Sequence, residues 1–173
     1  MHVYHGSPAK FEVFDYTKVG TQGTTEGKGF YFTDAKRIAE GYGANGYLYT
    51  VEWLGKKSLS SDAFTITPEQ FRKYLIELDK KTDYLSNYGE VDFEGLERVL
   101  SYAMEGDYES SENDVDLISG VINASGDIHT TVTLLHKMFG YDSIITGAEW
   151  GGEQTIYIAL IHDAFRIVDV TKL

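Results

Sequence analysis

The stretch that decides the fold is Lys28–Gly43, with the sequence KGFYFTDAKRIAEGYG. Its aromatic run over residues 30–32 favours a pleated, half-buried strand. Asp34 is expected to cap the helix that follows, and Gly43 is expected to end it. Tyr31 and Tyr42 lie eleven residues apart, one on the strand and one on the helix. The stretch therefore predicts a strand that leads directly into a helix, with both tyrosines facing one cavity.

A second short stretch, Val3–Ser7, reads as a strand that ends in a His-Gly step. We interpret it and Lys28–Gly43 as the two walls of one ligand site. The alternative is that Tyr31 and Tyr42 are core residues and that His5 is a hydrogen-bonded strand histidine. Each stretch alone favours that alternative, whereas their occurrence together favours the ligand site.

Composition restricts the classes of protein to consider. The 173 residues fit one domain, and 42% of them are hydrophobic, which is enough to bury a core. The absence of cysteine excludes a disulfide framework and a thiolate metal site. No apolar run approaches the ~20 residues of a membrane span, and no signal peptide is visible at the N-terminus. We therefore expect a cytoplasmic protein that does not associate with membranes.

The net charge of −12 is concentrated in the middle of the chain. Residues 77–116 contain thirteen acidic and three basic side chains, which leaves a net charge of −2 for all other residues. A solvated helical surface explains this pattern most simply. A surface that faces a partner or steers a basic substrate is the alternative. The overall charge argues against tight, sequence-blind binding to nucleic acid.

Strand patterns occupy both ends of the chain, and helical patterns fill the middle. Thr67, Pro68 and Gln70 form a helix start signal, and helices are also predicted over about 92–103, 115–122 and 127–139. Strands are predicted over 1–5, 30–32, 47–53, 143–146, 156–161 and 165–170. This pattern predicts a single α+β domain over residues 1–173, whose sheet is interrupted by an acidic helical insertion over about residues 58–140.

His5-Gly6-Ser7, then Gly29–Thr33, then Tyr42, then a strand over 47–51 together resemble the ADP-ribosyltransferase superfamily. The pattern is most similar to the His-Tyr-Glu clade, which includes diphtheria toxin, the poly(ADP-ribose) polymerases and small phage or mobile-element transferases. The stretch over 140–145 is similar to the phage-type members. The resemblance covers roughly residues 1–53 and the last 35 residues, and it implies a split antiparallel sheet.

The resemblance implies roles for several residues. Gly6 offers backbone hydrogen bonds to the carboxamide of nicotinamide, and His5 contacts the adenosine-side ribose of NAD+. Tyr31 and Tyr42 enclose the nicotinamide ring, which is a cationic aromatic ring that a tyrosine face attracts. NAD+ is the implied co-substrate.

One position departs from the pattern of the polymerases. Where they place a serine that binds the nicotinamide amide, this chain has Ala39. Ser7 is the nearby hydroxyl that we expect to compensate.

The third member of the signature is a carboxylate at the start of a late strand. It binds a ribose hydroxyl and stabilises the positive charge that develops as nicotinamide leaves. Glu149, Glu153 and Gln154 are the candidates, and we choose Glu153 because it follows a Gly-Gly turn and precedes the strand at 156. Gln154 is the alternative, since some members of the clade carry Gln. The remaining alternative is that Glu153 is an ordinary turn carboxylate with no catalytic role.

No metal site is predicted. His129 and His136 are seven residues apart on one helix, which is two turns rather than the one-turn spacing of a helical metal pair. His162 is expected in a hairpin turn. The chemistry that the resemblance implies needs no metal.

The leading hypothesis is an NAD+-dependent mono-ADP-ribosyltransferase that modifies a protein or nucleic acid, as a phage or bacterial toxin or effector. NAD+ glycohydrolysis, with water as acceptor at the same site, is the closest alternative. A non-catalytic acidic protein that mimics nucleic acid is an alternative of another class, and residues 77–116 are its support. Release of free nicotinamide from NAD+ discriminates the enzymes from the binding protein.

Overall fold

A computed structural model describes residues 1–20, 26–147 and 153–173. The chain divides into two compact units. Residues 1–58 and 141–173 form the first, here called the sheet unit, and residues 59–140 form the second, here called the helical unit. No helix in the described part of the chain is long and apolar enough to cross a membrane.

Seven strands in the described ranges make one sheet. They are β1 (His2–Ser7), β2 (Phe30–Thr33), β3 (Tyr47–Trp53), β4 (Ser58–Leu59), β5 (Ser143–Gly147), β6 (Thr155–Ala159) and β7 (Phe165–Lys172). Their order across the sheet is β4-β5-β6-β2-β1-β3-β7. The pairs β1–β2, β1–β3, β2–β6, β3–β7 and β5–β6 are antiparallel. With the helices described below, the sheet confirms the predicted α+β class.

One face of the sheet is covered by an aromatic cluster. Phe14 lies at its centre, with ring centroids 5.0–5.8 Å from the rings of His5, Phe30, Phe32, Tyr49 and Phe165. Most of these contacts are edge-on or tilted, the arrangement that the charge distribution of aromatic rings favours. The aromatic run that marked β2 in the sequence therefore packs as core on one side of the strand.

A carboxylate clamp joins the two points where the chain leaves the sheet unit and returns to it. Asp142 accepts hydrogen bonds from the backbone amides of Lys56 and Lys57 at 2.8 and 3.1 Å. The Asp142 amide donates to the Lys57 carbonyl at 2.9 Å. The hydroxyls of Ser58 and Ser143 lie 3.0 Å apart. The ends of the segment that carries the helical unit are thus held side by side.

A short helix, α1 (Lys36–Tyr42), follows β2 and ends at Gly43, as predicted. The predicted cap is wrong, because the N-cap residue is Ala35 and no side chain caps the helix. Asp34 instead accepts a hydrogen bond from the backbone amide of Thr155 at 2.9 Å. The carboxylate is drawn to the start of β6 because that strand lies beside β2.

The helical unit contains five α-helices in a fully described range. They are α2 (Pro68–Thr82), α3 (Val91–Glu94), α4 (Leu96–Ala103), α5 (Asp114–Ser125) and α6 (Ile128–Phe139). The predicted start signal of α2 is confirmed, since Thr67 and Gln70 form a reciprocal capping box with Pro68 in the first turn. A cap of this kind stabilises a helix by about 1 kcal/mol.

The single helix predicted over 92–103 is wrong. The chain breaks it at Gly95, whose φ of 85° lies outside the helical region, and α3 and α4 result. A π-helical turn over Met104–Tyr108 then continues α4. The apolar periodicity carried no sign of the break, because Gly95 occupies a position that a helix can tolerate at a cost of about 1 kcal/mol.

One buried carboxylate organises the loop that precedes α2. The Asp114 side chain is fully buried and accepts hydrogen bonds from the amides of Ser60, Thr65 and Ile66 at 2.8–3.2 Å. The Thr65 hydroxyl donates a further bond to it. Several donors thus compensate the loss of water around this charge.

Candidate active site

The sheet opens between its two central strands. β1 pairs with β3 along all six of its residues, and β2 pairs with β6 along all four of its residues. β1 and β2, which are both fully described, pair with each other at one position only, Tyr4 opposite Thr33. Beyond that pair, the facing backbone N–H and C=O groups of β1 and β2 form no regular hydrogen-bonding ladder. They can therefore form hydrogen bonds with a ligand.

His5 bridges the opening. Its Nδ1 lies 2.8 Å from the carbonyl oxygen of Tyr31, which can only accept, so Nδ1 carries the proton. Burial lowers the pKa of His5, and the bond to the Tyr31 carbonyl opposes that effect in part. The ring is therefore neutral near pH 7, and its Nε2 presents a lone pair. No residue in the described part of the chain occupies that lone pair.

Tyr31 stands in the middle of β2, opposite Ile158 of β6. Its hydroxyl donates to the carbonyl of Gly27 at 2.6 Å. Burial raises the pKa of the Tyr31 phenol, and the Glu26 carboxylate beside it raises the pKa further. The hydroxyl is thus a neutral group tied to the backbone just before β2, and the half-buried ring is held in one place.

Gly6 is where α1 packs against β1. A Cβ at Gly6 would overlap the carbonyl oxygen of Ala39 and lie 2.5 Å from the amide nitrogen of Gly43. Any side chain at this position would push the helix off the strand. Helix packing is therefore a reason for glycine here, in addition to the ligand approach that we predicted.

Tyr42 lies on α1 directly before Gly43, and 72% of its surface is exposed. It is therefore on the same helix end that Gly6 contacts, with a ring that meets solvent. Ser7 ends β1 with a buried side chain whose hydroxyl donates to the Ala9 carbonyl at 2.9 Å. The Ser7 proton is thus already used within its own turn, and Ser7 would have to give up that bond to donate to a ligand.

Gln154 is fixed at the start of β6. The Thr33 hydroxyl donates to its Oε1 at 2.7 Å and accepts a bond from the Ala35 amide at 3.0 Å. Glu153, one residue earlier, is exposed. Glu149, the remaining candidate for the third signature residue, lies outside the described residues. Gln154 and Glu153 thus precede Ile158, the strand partner of Tyr31, by four and five residues, and Gln154 contacts the end of β2 through Thr33.

The structure thus brings His5 and Tyr31 into direct contact, sets α1 with Tyr42 against Gly6, and ties Gln154 to the end of β2. Thr33 and Glu26 also contact these residues, and Asp34 bonds to Thr155 beside Gln154; none of the three was predicted to belong to the site. Thr33 and Asp34 gave no usable signal, because their partners Gln154 and Thr155 lie 121 residues further along the chain. Among the described residues, no group of three or more His, Asp or Glu side chains is placed to hold a metal ion.

The profile of one protein family, described as ADP-Ribosyltransferase in polyvalent proteins, matches residues 1–160. The chain belongs to this family. The predicted membership of the ADP-ribosyltransferase superfamily is confirmed, and the His-Tyr-Glu clade stays a prediction. The matched range includes the helical unit, for which the sequence analysis found no resemblance. Searches among curated proteins and among solved structures each found no match.

Membership in this family makes the protein an ADP-ribosyltransferase domain, a class of transferase that uses NAD+ as substrate. The opening between β1 and β2 combines backbone groups outside a regular ladder with a lone pair on the neutral imidazole of His5.

Proposed function

We propose that the domain is an NAD+-dependent mono-ADP-ribosyltransferase, which breaks the nicotinamide–ribose bond of NAD+ and transfers ADP-ribose to a macromolecular acceptor. The observation that carries the proposal is the hydrogen bond from His5 Nδ1 to the Tyr31 carbonyl across the sheet opening. This bond fixes the tautomer and the orientation of the ring, so that Nε2 is an acceptor.

In this proposal, groups on β1, β2 and α1 together bind NAD+. The Gly6 backbone holds the carboxamide of nicotinamide, and His5 Nε2 accepts a hydrogen bond from a hydroxyl of the adenosine-side ribose. Tyr31 supplies a fixed ring face and Tyr42 a solvent-facing one, between which the cationic nicotinamide ring stacks. The binding mode agrees with the low pKa of His5, since an imidazolium would have no lone pair to offer.

The reaction breaks the bond between C1′ of the ribose and the ring nitrogen of nicotinamide. The electron pair of that bond leaves with nicotinamide, which becomes neutral, and positive charge develops on the ribose. A nucleophilic atom of the acceptor then bonds to C1′ and loses its proton to solvent or a base.

We assign the stabilising carboxylate to Glu153. Its side chain is a carboxyl group, whereas Gln154 is a neutral amide whose oxygen is already bound by Thr33. Glu153 is exposed without substrate, and a carboxylate held near developing positive charge becomes worth several kcal/mol when the bound substrate excludes water. Gln154 is assigned to substrate binding through its amide nitrogen, which Thr33 leaves available.

Transfer of a single ADP-ribose and action as a phage or bacterial effector in a host cytosol are further parts of the proposal. Their support is the similarity of residues 1–53 and 140–145 to small phage and mobile-element transferases. The acceptor is a protein or a nucleic acid.

The test is to incubate the purified chain with NAD+ labelled in the adenine moiety, with and without a bacterial lysate. We expect free nicotinamide in both cases and label on a macromolecule with lysate. A His5→Ala variant lacks the Nε2 lone pair, and we expect it neither to release nicotinamide nor to label a macromolecule. Free ADP-ribose in amounts equal to nicotinamide, without labelled macromolecule, would make the protein a glycohydrolase. No nicotinamide release under any condition would refute the proposal.

A further inference from the structure

The Thr33 hydroxyl joins two distant parts of the chain. Thr33 ends β2, and its side chain is buried. The hydroxyl accepts a hydrogen bond from the Ala35 amide at 3.0 Å and donates its single proton to Gln154 Oε1 at 2.7 Å. The bond from Ala35 is the ordinary use of a threonine at the start of a turn. The bond to Gln154 spans 121 positions of sequence and needs a separate explanation.

Strand register places Thr33 on the same face of the sheet as Tyr31 and Gly6. Side chains alternate along a strand, so Tyr31 and Thr33 share one face, whereas Phe32 lies on the other face in the aromatic cluster. Tyr4 is directly opposite Thr33 and belongs to the first face, and so does Gly6 two residues later. This is also the face that α1 covers, since α1 packs against Gly6.

The bond from Thr33 determines which end of the Gln154 amide is available. Because Oε1 is held by the hydroxyl, Nε2 is the free end, and it has no partner among the described residues. An amide nitrogen donates and does not accept, so this end selects an oxygen of a ligand. The last torsion of a glutamine has two nearly equivalent orientations. Without Thr33, the amide could therefore turn and present its oxygen instead.

We propose that Thr33 is a positioning residue of the candidate active site, which orients Gln154 so that Nε2 donates to a hydroxyl oxygen of the nicotinamide-side ribose. The assignment rests on the proposed function, in which Gly6 and Tyr31 hold nicotinamide. Those two residues share a sheet face with Thr33, so the adjoining ribose is the part of NAD+ that the amide meets. Thr33 itself touches no substrate and acts through Gln154.

The test is a double-mutant cycle on NAD+ affinity, measured by calorimetry in a Glu153→Gln background. Thr33→Val keeps the shape of the side chain and should weaken NAD+ binding about threefold to fivefold, because the amide is no longer held in one orientation. Gln154→Ala should weaken binding at least as much. The combined variant should bind as Gln154→Ala does, since Thr33 has nothing left to orient. Thr33→Ser keeps the hydroxyl and should bind normally.

The matched control is Asp34→Ala, which removes a different bond between the end of β2 and the start of β6, the one to the Thr155 amide. Any effect of Asp34→Ala on affinity should be the same with and without the Gln154 side chain. The Ala35 amide loses its acceptor in Thr33→Val in both backgrounds, so the cycle cancels that contribution.

Two results would overturn the proposal. Equal weakening by Thr33→Val in both backgrounds would make Thr33 a residue of the turn only. Coupling of Asp34→Ala to Gln154 as strong as that of Thr33→Val would show that any contact at this strand end suffices. Failure of the proposed function is seen separately, as a wild type that releases no nicotinamide, because the cycle measures binding and not turnover. A wild type that does not bind NAD+ would refute both.

Discussion

The two units of this chain are built on different principles. The sheet unit has eleven acidic and nine basic residues, and the helical unit has sixteen and six. In the sheet unit, neighbouring strands come from distant parts of the sequence, as in the pairing of Tyr31 with Ile158. In the helical unit, each helix begins and ends at signals within a few residues, such as the capping box at Thr67. The candidate site thus depends on the pairing of strands that are distant in sequence, whereas the charged helical surface depends on residues that are close in sequence.

The contrast also concerns how each unit uses its buried polar groups. His5 is partly buried, with Nδ1 hydrogen-bonded and Nε2 without a partner among the described residues. Asp114 is buried, and three backbone amides and one hydroxyl donate to its carboxylate. His5 therefore has hydrogen-bonding capacity that a ligand can use, whereas the capacity of Asp114 is taken up by the fold. The four predictions below test this difference, beginning with the largest expected effect.

The strongest test is Asp114→Ala, which should destabilise the helical unit by about 3 kcal/mol or more. The variant leaves three backbone amides without an acceptor in a buried place. Hydrogen exchange followed by mass spectrometry should show faster exchange over residues 59–140, with little change in β1 and β3. Asp62→Ala, an exposed carboxylate of the same loop, serves as control. Equal loss of protection in both units would contradict the division of roles.

The next effect is on catalysis. Glu153→Gln should reduce the rate of nicotinamide release about a hundredfold or more and leave KM for NAD+ nearly unchanged, since a contact made only in the transition state is lost. Gln154→Ala should have the smaller effect on the rate. Assays of nicotinamide release against NAD+ concentration measure both. If Gln154→Ala abolished turnover and Glu153→Gln kept it, Gln154 would be the third signature residue.

An effect of about 1–3 kcal/mol on NAD+ binding is expected for Tyr42→Ala, because a stacking face and its attraction for the cationic ring are lost together. Tyr42→Phe keeps the face and should bind normally. Calorimetry in a Glu153→Gln background, where NAD+ is hardly consumed, gives the affinities. Because the Tyr42 ring is exposed, stability should not change in either variant. Identical affinities for wild type and Tyr42→Ala would exclude Tyr42 from the site.

The smallest effect is expected at the start of α2. Thr67→Ala should lower the stability of the helical unit by about 1 kcal/mol, because the Gln70 amide loses its acceptor. Thr67→Ser keeps the hydroxyl and should cost only a few tenths of a kcal/mol. Urea unfolding followed by circular dichroism measures the difference. Loss of NAD+ turnover in Thr67→Ala without loss of stability would show that the helical unit takes part in the chemistry.

Much of the fold was accessible to sequence analysis because its signals are local. The aromatic run at 30–32, the alternation at 47–53 and the caps at Thr67 and Gly140 each predict an element from adjacent residues. The break at Gly95 was missed because helical periodicity continues on both sides of it.

The candidate site was accessible only in part. His5, Gly6 and the two tyrosines stand in motifs, so the resemblance named them. The contacts that orient the site join residues over 100 positions apart, such as Thr33 with Gln154 and Asp34 with Thr155. Whether Asp34 caps its own helix or binds another strand depends on strand register, which no local pattern specifies.

The Asp142 clamp has a consequence for how the chain acquires its shape and for how such domains diversify. Pairing Thr33 with Ile156 closes a very long loop, at an entropic cost of about 4 kcal/mol for a flexible chain. Prior folding of residues 59–140 would remove most of that loop and lower the cost by about 1 kcal/mol. Because Lys56, Lys57 and Asp142 hold the two strand ends together, a short turn could replace the whole segment between them. The clamp therefore makes residues 59–140 a segment that evolution, or a protein engineer, can exchange without changing the strand order of the sheet.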